Sequence, residues 1–210
     1  MSDDNASDVR MHYRQAATGF VDLLSALSEA DWAAPALGEW TVRDLAGHTS
    51  RALLTVESYL DPTRTVEAPS LEDAVAYYRA ASAALADPGE VAERGRQAGA
   101  ALGARPAEAS AVVADRVLTR LDGSPDNALV TSPVGTMTLA GYLPTRIFEL
   151  VVHGLDLACA TGADVPAQLA GPLPACLGLA ASLAADRGDA APVLLALTGR
   201  RALPAGFSVV

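Results

Sequence analysis

Aromatic side chains make up only 5% of this 210-residue sequence, while half of it is apolar and alanine dominates. That balance argues against a β-rich fold and for helices packed closely together. Cysteine is nearly missing: Cys159 and Cys176 stand in no CxxC or other metal-binding spacing, so both are expected to be reduced, small core residues. Basic charge is in deficit, with 15 Lys and Arg against 25 Asp and Glu and a net charge of −10. A nucleic-acid or anionic-membrane surface needs clustered lysine and arginine, so both partners are excluded and small-molecule chemistry is the expectation. No long apolar run is uninterrupted. The most apolar tract, Val165 to Ala185, contains Pro166, Pro172, Pro174 and Gln168 and reads as a helix with a broken start rather than a membrane span. The opening MSDDNASDVRMHYRQ is acidic and polar where a signal peptide would be basic and then apolar, which points to a cytoplasmic protein. There is no internal repeat, no glycine-rich phosphate loop and no low-complexity linker.

The length suits one well-buried domain and is too short for two full ones. Ser7 can cap a first helix running to about Glu29, with Ala16, Phe20, Leu23, Leu24 and Leu27 on its apolar side; His12 falls on its half-exposed surface. Thr41 followed by Asp44 three residues on predicts a capping box for the second helix, and Trp40 before it is placed to staple the helix entry to the core. Asp61 and Pro62 end that helix, and a surface loop runs through Pro69. A third helix starts at Ser70, with Asp73 in a capping position, and stops at Pro88-Gly89; Tyr77 and Tyr78 put one aromatic inside and one at the rim. Residues 88 to 105 are charged and glycine-rich and read only as a frayed helix. Pro106 to Leu121 is a clear fourth helix stopped by Asp122-Gly123. The run NALVTSPVGTMT predicts an extended loop or hairpin. After Thr138 to Thr161, helices over Gln168 to Asp186 and Pro192 to Leu197 complete the chain before the tail TGRRALPAGFSVV.

The segment Thr138 to Thr161, TLAGYLPTRIFELVVHGLDLACAT, carries polar groups where a core helix should have none. At 100° per residue Leu139, Leu143, Leu150 and Leu157 share one arc, and Arg146, Glu149 and His153 fall in or beside it. Burying a carboxylate and a guanidinium without partners costs several kcal/mol, so such groups persist inside a bundle when paired or metal-bound. Glu149 and His153 are four apart and therefore neighbours on one face. The sequence holds three histidines in all, His12, His48 and His153. Of the two that remain, His48 stands beside Ala52 on the inward side marked by Leu45, Thr49, Ala52 and Val56. Two histidines and a carboxylate are a common catalytic zinc set. The competing reading is two ordinary core histidines and a Glu149–Arg146 ion pair.

Two motifs resemble the mycothiol-dependent maleylpyruvate isomerase family within the DinB-like metalloenzyme superfamily: W-T-V-R-D-L-x-x-H from Trp40 to His48, and R-x-x-E-x-x-x-H-x-x-D through Arg146, Glu149, His153 and Asp156. The resemblance covers residues 8 to 162. It implies an all-α, DinB-like four-helix bundle over residues 1–162, with residues 163–210 as a short helical C-terminal extension packed on it. It also implies a divalent metal, Zn2+ or another such as Ni2+, on His48, Glu149 and His153, and mycothiol as co-substrate. The implied function is activation of that thiol for isomerisation, addition or S-transfer to a small electrophilic substrate. Arg146 would then steer an anionic substrate, and Asp156 would support a ligand histidine. The isomerases proper carry a further C-terminal α/β domain that contributes an arginine; here Arg200 and Arg201 in the tail read as solvated, with entry into the pocket as the alternative. A metal-dependent hydrolase and a non-catalytic metal-binding or small-molecule-sensing bundle, as a homodimer, are the other classes compatible with the same residues.

Overall fold

In the computed structural model the described residues are 3–60, 68–84 and 88–210. Among them the chain forms eight α-helices and one two-stranded sheet: α1 (Asp3–Ser25), α2 (Val42–Tyr59), α3 (Ala74–Ala84), α4 (Pro88–Ala101), α5 (Pro106–Asp122), β1 (Leu129–Ser132), β2 (Gly135–Thr138), α6 (Leu139–Thr161), α7 (Leu173–Asp186) and α8 (Ala190–Leu197). The fold is an all-α bundle. Helices α1, α2, α5 and α6 pack on one another around a core that includes Tyr13, Phe20, Leu45, Leu53, Leu121, Tyr142 and Leu150, each almost wholly shielded from solvent. Helix α4 lies along α2, and α3 lies against α6 and α7.

Local signals account for most helix ends. Thr41 caps α2 and forms the expected capping box: the Asp44 N–H donates to Thr41 Oγ1 at 3.2 Å, and the Thr41 N–H donates to Asp44 Oδ2 at 3.0 Å. Thr138 caps α6 by accepting from the Gly141 N–H, and Gly162 closes it in the left-handed region at φ 70°, where a side chain would strain the backbone. The hairpin pairs Leu129 with Thr138 and Ser132 with Gly135 in antiparallel register, delivering the chain directly to the α6 cap. Arg10 of α1 donates to the Leu121 and Ser124 carbonyls at 2.7 and 2.6 Å. It thereby ties α1 to the end of α5 and to the turn that follows it.

Several boundaries differ from expectation for identifiable reasons. α1 begins at Asp3, so Ser7 lies inside it, and it stops at Ser25 rather than near Glu29. α3 begins at Ala74: Asp73 Oδ1 accepts from the Ala76 N–H at 2.8 Å, while Ser70 is drawn to the hairpin, its N–H donating to the Thr136 carbonyl at 2.8 Å. Pro88 opens a helix rather than stopping one. The glycine-rich stretch that reads as frayed is α4, and its glycines are what allow it to pack. A Cβ at Gly47 would collide with the backbone of Ala98 and Gly99, and one at Gly99 would come within 2.8 Å of the Arg43 carbonyl oxygen. Glycine is unfavourable for an isolated helix but lets two helix backbones touch. The expected end of α2 at Asp61-Pro62 and most of the loop to Pro69 lie outside the described residues. Beyond Gly162, a 3₁₀ turn over Ala167–Ala170 precedes α7, whose start at Leu173 follows the proline-broken tract. The Arg79 guanidinium of α3 is ion-paired with Asp186 at the end of α7. Cys176 is buried as expected, whereas Cys159 is exposed on α6. No helix among the described residues is long and apolar enough to cross a membrane.

Candidate metal centre

Helices α2 and α6 pack face to face, and the polar groups that interrupt their inward sides meet. Leu139, Leu143, Leu150 and Leu157 are fully buried, and Arg146 beside them is 8% exposed. His48 from α2 and Glu149 and His153 from α6 bring one ligand atom each to within 4.8 Å of one another. Glu149 Oε2 is the hub, 3.8 Å from His48 Nε2 and 3.4 Å from His153 Nε2. Ligand atoms held about 2.1 Å from a tetrahedral zinc lie about 3.4 Å apart. The two distances to Glu149 Oε2 are therefore close to such an edge, and two imidazole nitrogens with one carboxylate oxygen form a donor set that suits Zn2+ or Ni2+.

Partners around the triad orient it. His153 Nδ1 is 3.0 Å from Asp156 Oδ2, leaving Nε2 toward Glu149, the arrangement in which a carboxylate holds a ligand histidine in one tautomer. Asp156 is outside the cavity lining and touches the triad through that ring. The His48 ring stacks on Trp40 at 4.6 Å between centroids and meets the His153 ring edge-on at 5.0 Å. Its Nδ1 is buried with no hydrogen-bond partner among the described residues, so aromatic packing orients it. Trp40 is thus more than a helix staple: its Nε1–H donates to the Ala92 carbonyl at 2.9 Å, tying the ring to α4. Tyr78 of α3 donates to Glu149 Oε1 at 2.9 Å.

The Glu149–Arg146 ion pair of the competing reading does not form. Arg146 Nε donates to Thr145 Oγ1 at 3.0 Å and Nη2 to the Tyr77 hydroxyl at 3.3 Å, and the guanidinium lies over the Tyr77 and Tyr142 rings at 5.3 and 4.9 Å. It has no ion-pair partner among the described residues. Glu149, Arg146 and His48 line a cavity of about 470 Å³ together with Arg51, Arg94 and Tyr142. Arg51, Arg94, Tyr78 and Tyr142 carry no motif of their own in the sequence; only α2, α3, α4 and α6 coming together identifies them. Arg200 and Arg201 are exposed and absent from the lining, whereas Val210 reaches it. His12 sits half-buried on α1, apart from the triad.

The model of the mycothiol maleylpyruvate isomerase N-terminal domain family matches residues 13–158. The chain belongs to that family. No curated protein and no solved structure matches it. The matched span reaches from α1 to nearly the end of α6, so for this member of the mycothiol maleylpyruvate isomerase N-terminal domain family it includes both helices that supply the triad.

Electrostatics couples the triad to pH. Burial pushes Glu149 up, but the two histidines and Arg146 outweigh it and hold the carboxyl well below its ordinary range. Burial pushes His153 down, yet Asp156 and Glu149 raise it to about 9. A histidine raised in the folded state stabilises the metal-free protein below its ordinary value near 6.5, and that contribution is lost as pH rises through about 9. A metal on His153 would compete with its proton, so zinc uptake there is expected to release a proton near neutral pH and to tighten toward pH 9 by up to about tenfold per pH unit. Calorimetric titration in buffers of differing ionisation enthalpy checks this; a proton count of zero at pH 7 would contradict it.

Proposed function

We propose that this chain is a divalent-metal-dependent enzyme that activates a low-molecular-weight thiol, mycothiol by family, for isomerisation of, addition to or S-transfer to a small anionic electrophile. The observation that carries the reading is the convergence of His48 and His153 on one carboxylate oxygen of Glu149, with Glu149 and His48 on the wall of a cavity that also presents three arginines. At about 470 Å³ the cavity has the size of a small-molecule site. A bound divalent cation would supply an open coordination position that lowers the pKa of a thiol enough to make it a nucleophile at neutral pH. The protein supplies the rest. Arg146, clamped over Tyr77 and Tyr142, presents a fixed cation to the anionic group of the substrate, and Arg51 and Arg94 add positive charge to the same cavity. The rings of Tyr77 and Tyr142 against the guanidinium lower the local dielectric, which strengthens its attraction for an anion. Asp156 keeps His153 in the tautomer whose Nε2 faces the site.

Elemental analysis is expected to find about one divalent ion per chain. Incubation of the loaded protein with mycothiol and maleylpyruvate, or another small anionic electrophile, is then expected to consume thiol or isomerise the substrate. Release of acid without any dependence on thiol would instead identify a hydrolase, and ligand-induced thermal shifts without turnover a sensing bundle. Metal-stripped protein that takes up no zinc, nickel, cobalt or manganese at micromolar concentration would end the metal reading altogether.

A further inference from the structure

The two carboxylate oxygens of Glu149 have different surroundings. Oε2 faces both imidazoles, whereas Oε1 accepts the hydrogen bond from Tyr78 at 2.9 Å. The same hydroxyl lies 3.2 Å from the Thr145 carbonyl, one turn earlier on α6. The phenol is therefore fixed to the helix that carries Glu149 at two points. Its ring cannot readily move away: Tyr78 is 9% exposed and meets Tyr77 and Phe148 edge-on at 5.6 and 5.7 Å. Turning the carboxylate to bring both oxygens toward the histidines would break the charge-assisted Tyr78 bond and leave the hydroxyl only the longer contact to the Thr145 carbonyl. A carboxylate can bind a cation through one oxygen or two, and the choice sets how many positions remain for an incoming ligand.

We infer that Tyr78 is a positioning residue that restricts Glu149 to single-oxygen ligation and so keeps the coordination sphere open toward the cavity. This role rests on the metal site proposed for His48, Glu149 and His153, and it gives α3 a part in that site although the helix contributes no ligand. Its neighbour Tyr77 serves Arg146 instead, its hydroxyl lying 3.3 Å from Arg146 Nη2, so the adjacent tyrosines act on different groups and one can serve as the control for the other.

The test uses full-length protein stripped of metal and reloaded with cobalt(II) or zinc, comparing wild type, Tyr78→Phe and Tyr77→Phe. Phenylalanine keeps the ring contacts and removes only the oxygen. Tyr78→Phe is expected to weaken cobalt and zinc affinity about tenfold, the lower end for loss of a partner to a metal ligand. It should also lower the intensity of the visible cobalt bands, because the released second oxygen raises the coordination number. Tyr77→Phe should preserve both affinity and spectrum. A merely structural tyrosine would change the melting temperature of the metal-free protein and leave the cobalt spectrum alone. Wild-type affinity and spectrum in Tyr78→Phe would overturn the inference and leave the metal site standing, whereas a wild-type protein that loads neither ion would overturn both. If Tyr78→Phe does not fold, the infrared difference between metal-free and zinc-loaded wild type decides. Carboxylate bands spaced as for one-oxygen ligation support the role of Tyr78, and bands spaced as for two-oxygen ligation overturn it.

Discussion

Glu149→Gln is expected to abolish high-affinity metal binding while sparing the fold. If Glu149 were chiefly the partner of Arg146, its loss would strand a buried guanidinium and destabilise the protein by several kcal/mol whether or not metal is present. The structure has no such bond: Arg146 is held by Thr145, Tyr77 and two tyrosine rings. Glutamine can still accept the Tyr78 hydrogen bond. His153, raised to about 9 first by Asp156 and then by Glu149, loses one of the two carboxylates that hold its proton and sheds it at lower pH. The metal-free variant should thus lose only about 1 kcal/mol, or about 2–4 °C in melting temperature. The ion loses its only anionic ligand, and affinity should fall about 100-fold or more, removing about 2.7 kcal/mol of metal-induced stabilisation at saturating zinc. His48→Ala and His153→Ala should weaken binding likewise, and His12→Ala should leave it unchanged. Melting temperatures of all five proteins with and without saturating zinc provide the check; an equal zinc-induced shift in wild type and Glu149→Gln would remove Glu149 from the site.

Arg146→Met should separate stability from activity. The guanidinium is 8% exposed and has no carboxylate partner among the described residues. Its hydrogen bonds go only to neutral groups and Glu149 acts on it through space alone, so an apolar side chain of similar length removes the desolvation cost of the guanidinium without breaking a direct ion pair. The melting temperature of Arg146→Met should therefore stay level or rise. Turnover should behave oppositely, because loss of a preorganised charge facing an anionic substrate costs on the order of 100-fold or more in kcat/KM. Arg146→Lys should restore little, since an ammonium cannot reproduce a planar fork lying between two aromatic rings. Thermal melts paired with kcat/KM for a small anionic electrophile and its uncharged ester provide the measurement. A drop in melting temperature of more than about 4 °C, about 1–2 kcal/mol at this size, with kcat/KM unchanged, would make Arg146 a purely structural residue.

Much of this protein is legible in one dimension because its signals are local. Helical periodicity is set by neighbouring residues, so the inward side of α6, with Leu139, Leu143, Leu150 and Leu157, and the Thr41–Asp44 capping box can be read from spacing alone. The same reasoning places Arg146, Glu149 and His153 on that side and His48 on the facing side of α2, which the structure brings to within reach of one ion. The pairing of Asp156 with His153, three residues apart, is local in the same way. Long-range proximity is different in kind. The stacking of Trp40 on His48 and the Trp40 bond to Ala92 depend on α4 lying on α2, a contact made possible by Gly47 and Gly99, whose local propensity points away from a helix. Tyr78 reaches Glu149 only because α3 packs on α6, across a separation of 71 residues. Arg51 and Arg94 become cavity residues for the same reason. The choice of partner for Arg146 was also decided in three dimensions: at one turn's spacing Glu149 was an available ion-pair partner, but Tyr77 and Tyr142 take the guanidinium and leave the carboxylate to the histidines. Local periodicity determines which way a side chain points, and only the packing of helices distant in sequence decides what it meets there.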